Sequence, residues 1–255
     1  MPRIAIGIEY DGAAFSGWQR QGHVRSVQGE LETALARVAD HPVELTAAGR
    51  TDAGVHAMQQ VAHFDSPSLR DERAWVLGTN SGAPADVGLL WARAVPDDFH
   101  ARHSALVRHY RYRILTQGLR PVLERQRGCW IREPLDAVAM HAAAQVLVGE
   151  HDFSAFRAAE CQSRTPVRRL DAVAVQRIDE RRVEIDVSAN AFLHHMVRNI
   201  AGSLIAVGRG ERSPGWIAEV LASRERKLAG ITAPPQGLYL ACVRYPALYG
   251  LPGSA

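Results

Sequence analysis

The octapeptide Gly49-Arg50-Thr51-Asp52-Ala53-Gly54-Val55-His56 sets a carboxylate, a guanidinium and an imidazole among two glycines. Glycines let a backbone turn tightly and let a ligand come close. Loops held by rigid strands are where reactive groups tend to sit. A carboxylate at such a turn can attack an electrophilic carbon or take a proton. The same spacing also serves a plain turn, with Asp52 bonded to its own backbone.

Three other segments carry reactive types. Arg108-His109-Tyr110-Arg111-Tyr112 reads as part of a strand over 107–115. Tyr110, Tyr112 and Ile114 then share one face, and His109, Arg111 and Arg113 the other. Such a strand offers a stacking platform and phosphate contacts, although strand tyrosines more commonly face a core. His194-His195-Met196-Val197-Arg198-Asn199 reads as helix, where His194 and Arg198 share a face. Adjacent histidines do not, and no HExxH occurs, so no metal site is expected. A buried Arg198 needs an anionic partner, for which Asp52 is a candidate. Asp97-Asp98-Phe99-His100-Ala101-Arg102 reads as a junction loop. P-loop, GxGxxG and GxSxG patterns are missing, which argues against nucleotide hydrolysis, dinucleotide cofactors and α/β-hydrolase chemistry.

The elements that must position these groups follow from periodicity. Residues 3–11 alternate, with Ile4, Ile6, Ile8 and Tyr10 on one face of a half-buried strand. Ser26 can cap a helix to about residue 40, striped by Val27, Leu31, Leu35 and Val38. Strands are expected at 43–48 and 61–64, a helix at 68–77 and a strand at 88–95. After the 107–115 strand come a helix at 135–148, strands at 171–178 and 183–187, and a long helix at 191–207 stopped by Gly208. Ser213-Pro214 opens a short helix, and 238–245 is the last strand. The order β-α-β-β-α-β therefore occurs twice. It implies an α/β chain of the α+β kind: two ferredoxin-like halves, whose sheets can join for want of a flexible spacer and leave a cleft where the halves meet. The halves are expected at 1–103 and 104–246, followed by a loosely ordered tail at 247–255.

Composition bounds the rest. The 255 residues are 47% hydrophobic and 22% charged, which excludes a mostly disordered chain. No apolar run reaches the ~18 residues of a membrane span, and the N-terminus lacks a signal-peptide core. Cys129, Cys161 and Cys242 are far apart and fit neither a disulfide framework nor a CxxC metal site. A reducing, cytoplasmic setting is expected. Lys227 is the only lysine, leaving 30 − 1 = 29 arginines, a ratio that codon bias explains. Position says more: residues 102–132 hold eight arginines and one acid, Glu124. That stretch suits a polyanion such as nucleic acid.

Together these segments resemble the TruA-type tRNA pseudouridine synthases. The likeness is carried by EYDG…F-x-GWQRQ (9–21), GRTDAGVHA (49–57), PDDFHAR (96–102), RHYRYRI (108–114), EHDFSAFRA (150–158), CQSRTPVR (161–168), NAFLHHMVRNIAGSL (190–204) and GLYL (237–240). It implies the pseudouridine-synthase fold, two such ferredoxin-like halves sharing a central mixed, mainly antiparallel sheet. It also implies isomerisation of uridine at positions 38, 39 and 40 of the tRNA anticodon stem-loop, without a cofactor, by a homodimer. In that family the matching positions make Asp52 catalytic, set Tyr110 on the target base and pair Arg198 with the aspartate. Arg50 matches the arginine associated with flipping the base out. His56 and, from position alone, Arg20, Arg25, Arg102, Arg111, Arg157, Arg164 and Arg168 are candidate RNA contacts. Residues 57–60 are candidates for lining the RNA path. The competing reading is a catalytically idle RNA-binding or RNA-chaperone protein of the same fold. A purely binding protein, though, has no need of a carboxylate facing a polyanion.

Overall fold

The computed structural model describes residues 1–253. It contains two compact units, Met1–Arg108 together with Tyr239 onward, and His109–Leu238. Each is built on a mainly antiparallel sheet with helices packed on it.

In the first unit, β1 (Arg3–Tyr10) lies between β3 (His56–Asp65) and β4 (Val87–Val95), antiparallel to both. A central strand is covered on both faces. The expected half-buried alternation is therefore corrected: Ala5 is as buried as its isoleucine neighbours, and Gly7 leaves room for the Trp91 ring. Helix α1 (Val27–Ala39) starts as expected, with Ser26 Oγ accepting from the Gly29 amide. Only Thr46–Ala47 of the expected 43–48 strand pairs, as β2. The reason lies on α1, where Glu32 and Gln28 bond the amide and carbonyl of Leu45 and replace a strand neighbour. Helix α2 (Glu72–Gly82) begins four residues later than expected. Asp71 caps it by accepting from the Ala74 amide, while Ser68 is turned away to donate to the Ala39 carbonyl.

In the second unit the sheet order is β5 (Val107–Thr116), β9 (Arg182–Ala189), β8 (Val167–Arg177), β7 (Gly149–Asp152). Strand β6 (Cys129–Ile131) adds to β5 in parallel. β6 and β7 have three and four residues, too few to show a period. The helix expected at 135–148 is α3 (Ala137–Ala144), capped by Asp136 and followed by one 3-10 turn. The helix expected at 191–207 begins only at Met196, as α4 (Met196–Gly208). His195 precedes it in the left-handed region at φ 60°, so residues 191–195 are not helical and His194 shares no helix face with Arg198. Helix α5 (Trp216–Ser223) follows Gly215; Ser213 contributes its carbonyl, not a side-chain cap.

β10 (Leu238–Arg244) runs parallel to β3, pairing Tyr239 with His56 and Leu240 with Ala57. Residues Ala247–Tyr249 form a 3-10 turn, Tyr249 packs edge-on to Phe99 and Leu251 is buried. Ser254 and Ala255 lie outside the described residues. Among the described residues, no helix is long and apolar enough to cross a membrane.

Candidate active site

The loop between β2 and β3 carries Asp52. Nearly every turn of its backbone is held. The Ala48 amide donates to Val61, Gln60 Nε2 donates to the Gly49 carbonyl at 2.7 Å, and Arg108 donates to the Ala48 carbonyl at 3.1 Å. From the segment after β1, the Trp18 amide bonds the Thr51 carbonyl at 3.0 Å, and Gly54 donates to Phe15 at 3.3 Å. The turn closes when the Val55 amide reaches the main-chain carbonyl of Asp52 at 3.2 Å. Gly54 takes φ +78°, which favours glycine.

Residues 9–18 thus brace residues 49–56, and two glycines permit the approach. At Gly17, with φ +97°, a Cβ would sit 2.8 Å from the Thr51 carbonyl; at Gly12 it would overlap the Val55 carbonyl. Beneath the loop, Thr51, Val55 and His56 are buried, whereas Arg50 is exposed and Asp52 half-buried. His56 is only 2% exposed and stacks on Tyr239 with centroids 4.6 Å apart. Its Nδ1 accepts from the Gly12 amide at 3.0 Å, and the Asp11 carboxylate lies 3.1 Å from the same nitrogen. The imidazole is a post under the loop.

In the second unit, β5 separates its two tyrosines. Tyr112 is fully buried and donates to the Pro234 carbonyl at 2.8 Å. Tyr110 is half-buried, with the Phe192 ring edge-on at 5.0 Å. On the opposite face, His109 bridges Asp186 at 2.8 Å and Ser188 at 3.0 Å. Arg111 binds Asp186 at 2.9 Å and Glu184 at 3.1 Å, and Arg113 binds Glu184 at 3.1 Å. Burial pushes the Asp186 carboxyl up, but His109 and Arg111 outweigh it and hold it below the usual range. The arginine-rich stretch is therefore partly neutralised by acids on β9. Its exposed arginines are Arg102, Arg120, Arg125, Arg127 and Arg132.

Arg198 lies in the first turn of α4. Its Nε donates to the Ala233 carbonyl at 2.8 Å, and the Ala233 amide donates back to the Arg198 carbonyl at 3.1 Å. The remaining candidates differ in what already holds them. Arg25 grips Asp86 through both terminal nitrogens, at 2.6 and 2.7 Å, binds Glu30 and lies over the Phe15 ring. Arg20 pairs with buried Glu32 at 2.7 Å. Arg157 donates to the carbonyls of Cys161 and Ser163. Arg168 bonds the Thr165 and Val167 carbonyls and Ser163 Oγ. Arg164 is exposed. Periodicity places Tyr10 in the core, and nothing in the sequence singles out Thr51 or Asn199. The paired glycines 12 and 17 beside a Trp were the available signal that two loops meet.

A family model described as tRNA pseudouridine synthase matches residues 6–104 and 143–246. Asp52 and Arg198 fall inside the matched segments and Tyr110 between them. The tRNA pseudouridine synthase A of Methylococcus capsulatus is 56% identical over 249 residues, covering 98% of this chain and 92% of that protein. That of Coxiella burnetii is 55% identical over 252 residues, covering 99% and 96%. That of Xanthomonas euvesicatoria pv. vesicatoria is 56% identical over 252 residues, covering 98% of each.

Proposed function

The chain belongs to the tRNA pseudouridine synthase family and isomerises uridine to pseudouridine in tRNA; from this we propose that it acts at positions 38, 39 and 40 of the anticodon stem-loop, with Asp52 as the catalytic carboxylate. The observation that carries the assignment is the Asp52 loop itself. Its backbone is tied to β3, to residues 15–18 and to Arg108, while the carboxylate stays half-buried rather than enclosed. Preorganisation of that kind suits a group that must meet a reacting carbon in one geometry.

The reaction breaks N1–C1′, turns the uracil, joins C5 to C1′, releases the C5 proton and leaves a proton on N1. Asp52 can attack C1′ or remove the 2′ proton; both require the ionised form. Tyr110 stacks on the uracil once the base leaves the stem, an extrusion costing a few kcal/mol. Its half-exposed ring, edged by Phe192, supports this role. Tyr112, spent in the core, does not compete for it. Arg198 serves as the partner of the Asp52 carboxylate, and exposed Arg50 acts on the flipped nucleotide. The exposed arginines 102, 120, 125, 127, 132 and 164 hold the RNA backbone. The enzyme works as a homodimer in the cytoplasm, a setting with which three free cysteines agree.

Tritium release from tRNA labelled at uridine C5 tests the reading, using substrates with uridine at only one of the three positions. Asp52→Ala loses release and keeps most tRNA affinity. Continued release by that variant would remove Asp52 from the role. Release from a uridine outside the three positions alone would refute the site. Sedimentation of the purified protein reads the homodimer.

A further inference from the structure

We propose that Arg226 is a positioning residue for Arg198, acting through Asn199, Thr232 and the backbone at Ala233. The proposal rests on the assignment of Arg198 to the reaction.

An arginine side chain has several rotatable bonds and stays in one orientation only if something holds its head. For Arg198 one such hold is the Ala233 carbonyl on Nε, at 2.8 Å. Ala233 belongs to no helix or strand; its amide is held by the Arg198 carbonyl, and the stretch before it is held by side chains. Arg226 supplies them with a frame. Its Nη1 donates to the Gly230 carbonyl at 2.9 Å; its Nη2 donates to Thr232 Oγ1 at 2.9 Å and to Asn199 Oδ1 at 3.0 Å. The Thr232 hydroxyl donates in turn to Asn199 Oδ1 at 2.7 Å. Asn199, fully buried and next to Arg198 on α4, anchors its other end on the Phe156 carbonyl at 2.8 Å.

Packing confirms that the 230–233 segment is pressed onto α4. Ser203 Oγ accepts from the Gly230 amide at 2.9 Å. A Cβ at Gly202 would overlap the Ile231 carbonyl, and one at Gly230 would come within 2.7 Å of the Ser203 backbone. The frame therefore has little freedom to shift without moving Ala233. Arg226 itself has no carboxylate partner among the described residues. It faces neutral acceptors, and burial pulls its pKa down. A half-buried guanidinium with neutral partners is a poor device for stability. Its five fixed donors are, however, well suited to holding three acceptors at set angles.

The test measures kcat and KM for tRNA by steady-state tritium release, and the urea midpoint by unfolding curves, in full-length Arg226→Met, Arg226→Lys and Thr232→Val. Misplacing a reacting group by about 1 Å costs on the order of a hundredfold. Folded Arg226→Met is expected to lose about ten- to a hundredfold in kcat with KM within about threefold, and Arg226→Lys to recover part of it. Thr232→Val, which keeps the shape, should lose kcat less and in the same manner. Introduced into Arg198→Lys, Arg226→Met should cost nothing further. A wild-type kcat in folded Thr232→Val and Arg226→Met overturns the proposal, as does a full second loss on the Arg198→Lys background. Should Arg226→Met not fold, Thr232→Val decides alone. A wild-type kcat in Arg198→Lys would instead refute the assignment of Arg198.

Discussion

The hydroxyls of Tyr10 and Thr51 lie 2.7 Å apart in the interior, joining the end of the first strand to the residue before Asp52 across forty-one positions of sequence. The bond makes the Asp52 loop answerable to β1. An alteration far from the substrate is thereby able to reach the carboxylate.

Tyr10→Phe removes one hydroxyl of this pair and leaves the other in the interior. Loss of a buried hydrogen-bond partner costs about 1–3 kcal/mol, and the unfolding free energy in urea should fall by that amount. Because the loop loosens rather than the RNA surface, kcat should fall more than affinity for tRNA. An unchanged kcat with reduced stability would show that the bond serves folding alone.

Gly17→Ala introduces a Cβ that would stand 2.8 Å from the Thr51 carbonyl, at φ +97°. Backbone strain of this kind costs about 1–3 kcal/mol before the clash is counted. The neighbouring Gly22, whose added Cβ meets nothing within 4 Å, is the control. Gly22→Ala should leave both the thermal midpoint and turnover unchanged while Gly17→Ala lowers both.

The arginines divide into two kinds by partner. Arg111 is held by Asp186 and Glu184, whereas Arg164 and Arg120 are exposed. A phosphate contact contributes close to one unit of slope when log affinity is plotted against log salt, about 0.9 on a duplex. Arg164→Gln and Arg120→Gln should each flatten that slope for tRNA. Arg111→Gln should leave the slope nearly as it was and lower stability instead, since it strands Asp186 beside His109.

Acid stability should report His63. Its pKa is lowered to about 4 by burial first, then by the charges of Arg3 and His100. The neutral ring is fully used, accepting from the Ala101 amide at 3.1 Å through Nδ1 and bonding the Thr46 backbone. The unfolded chain binds a proton there near pH 6.5 and the native one only near 4. Native stability is therefore full above about pH 6.5 and falls as the pH drops towards 4. The slope is at most about 1.4 kcal/mol per pH unit. His63→Gln should remove that slope from urea unfolding curves taken across the window.

Much of the Asp52 loop was legible because its signals are local. Gly49, Asp52 and Gly54 announce a tight turn with a carboxylate, and Ser26 announces a helix start. The start of α4 was not legible. Residues 191–195 are apolar enough to continue a helical stripe, and only the left-handed turn at His195 and the bond from Ala158 to the His194 carbonyl interrupt it. The charge of residues 102–132 was read correctly as a count and incompletely as a surface. Glu184 and Asp186, which neutralise Arg111 and Arg113, stand some seventy positions away and meet them only through strand pairing. Tyr110 and Tyr112 look alike in one dimension; the carbonyl of Pro234, on a distant segment, is what commits Tyr112 to the interior.

β10 has a further consequence. It pairs with β3 beside His56, and Tyr239 lies on the His56 ring beneath the Asp52 loop. The sheet beneath the Asp52 loop is thus closed by a strand about 180 residues further along the chain, so the stacked ring under the loop is a contact of high sequence separation, made only once that long span has closed.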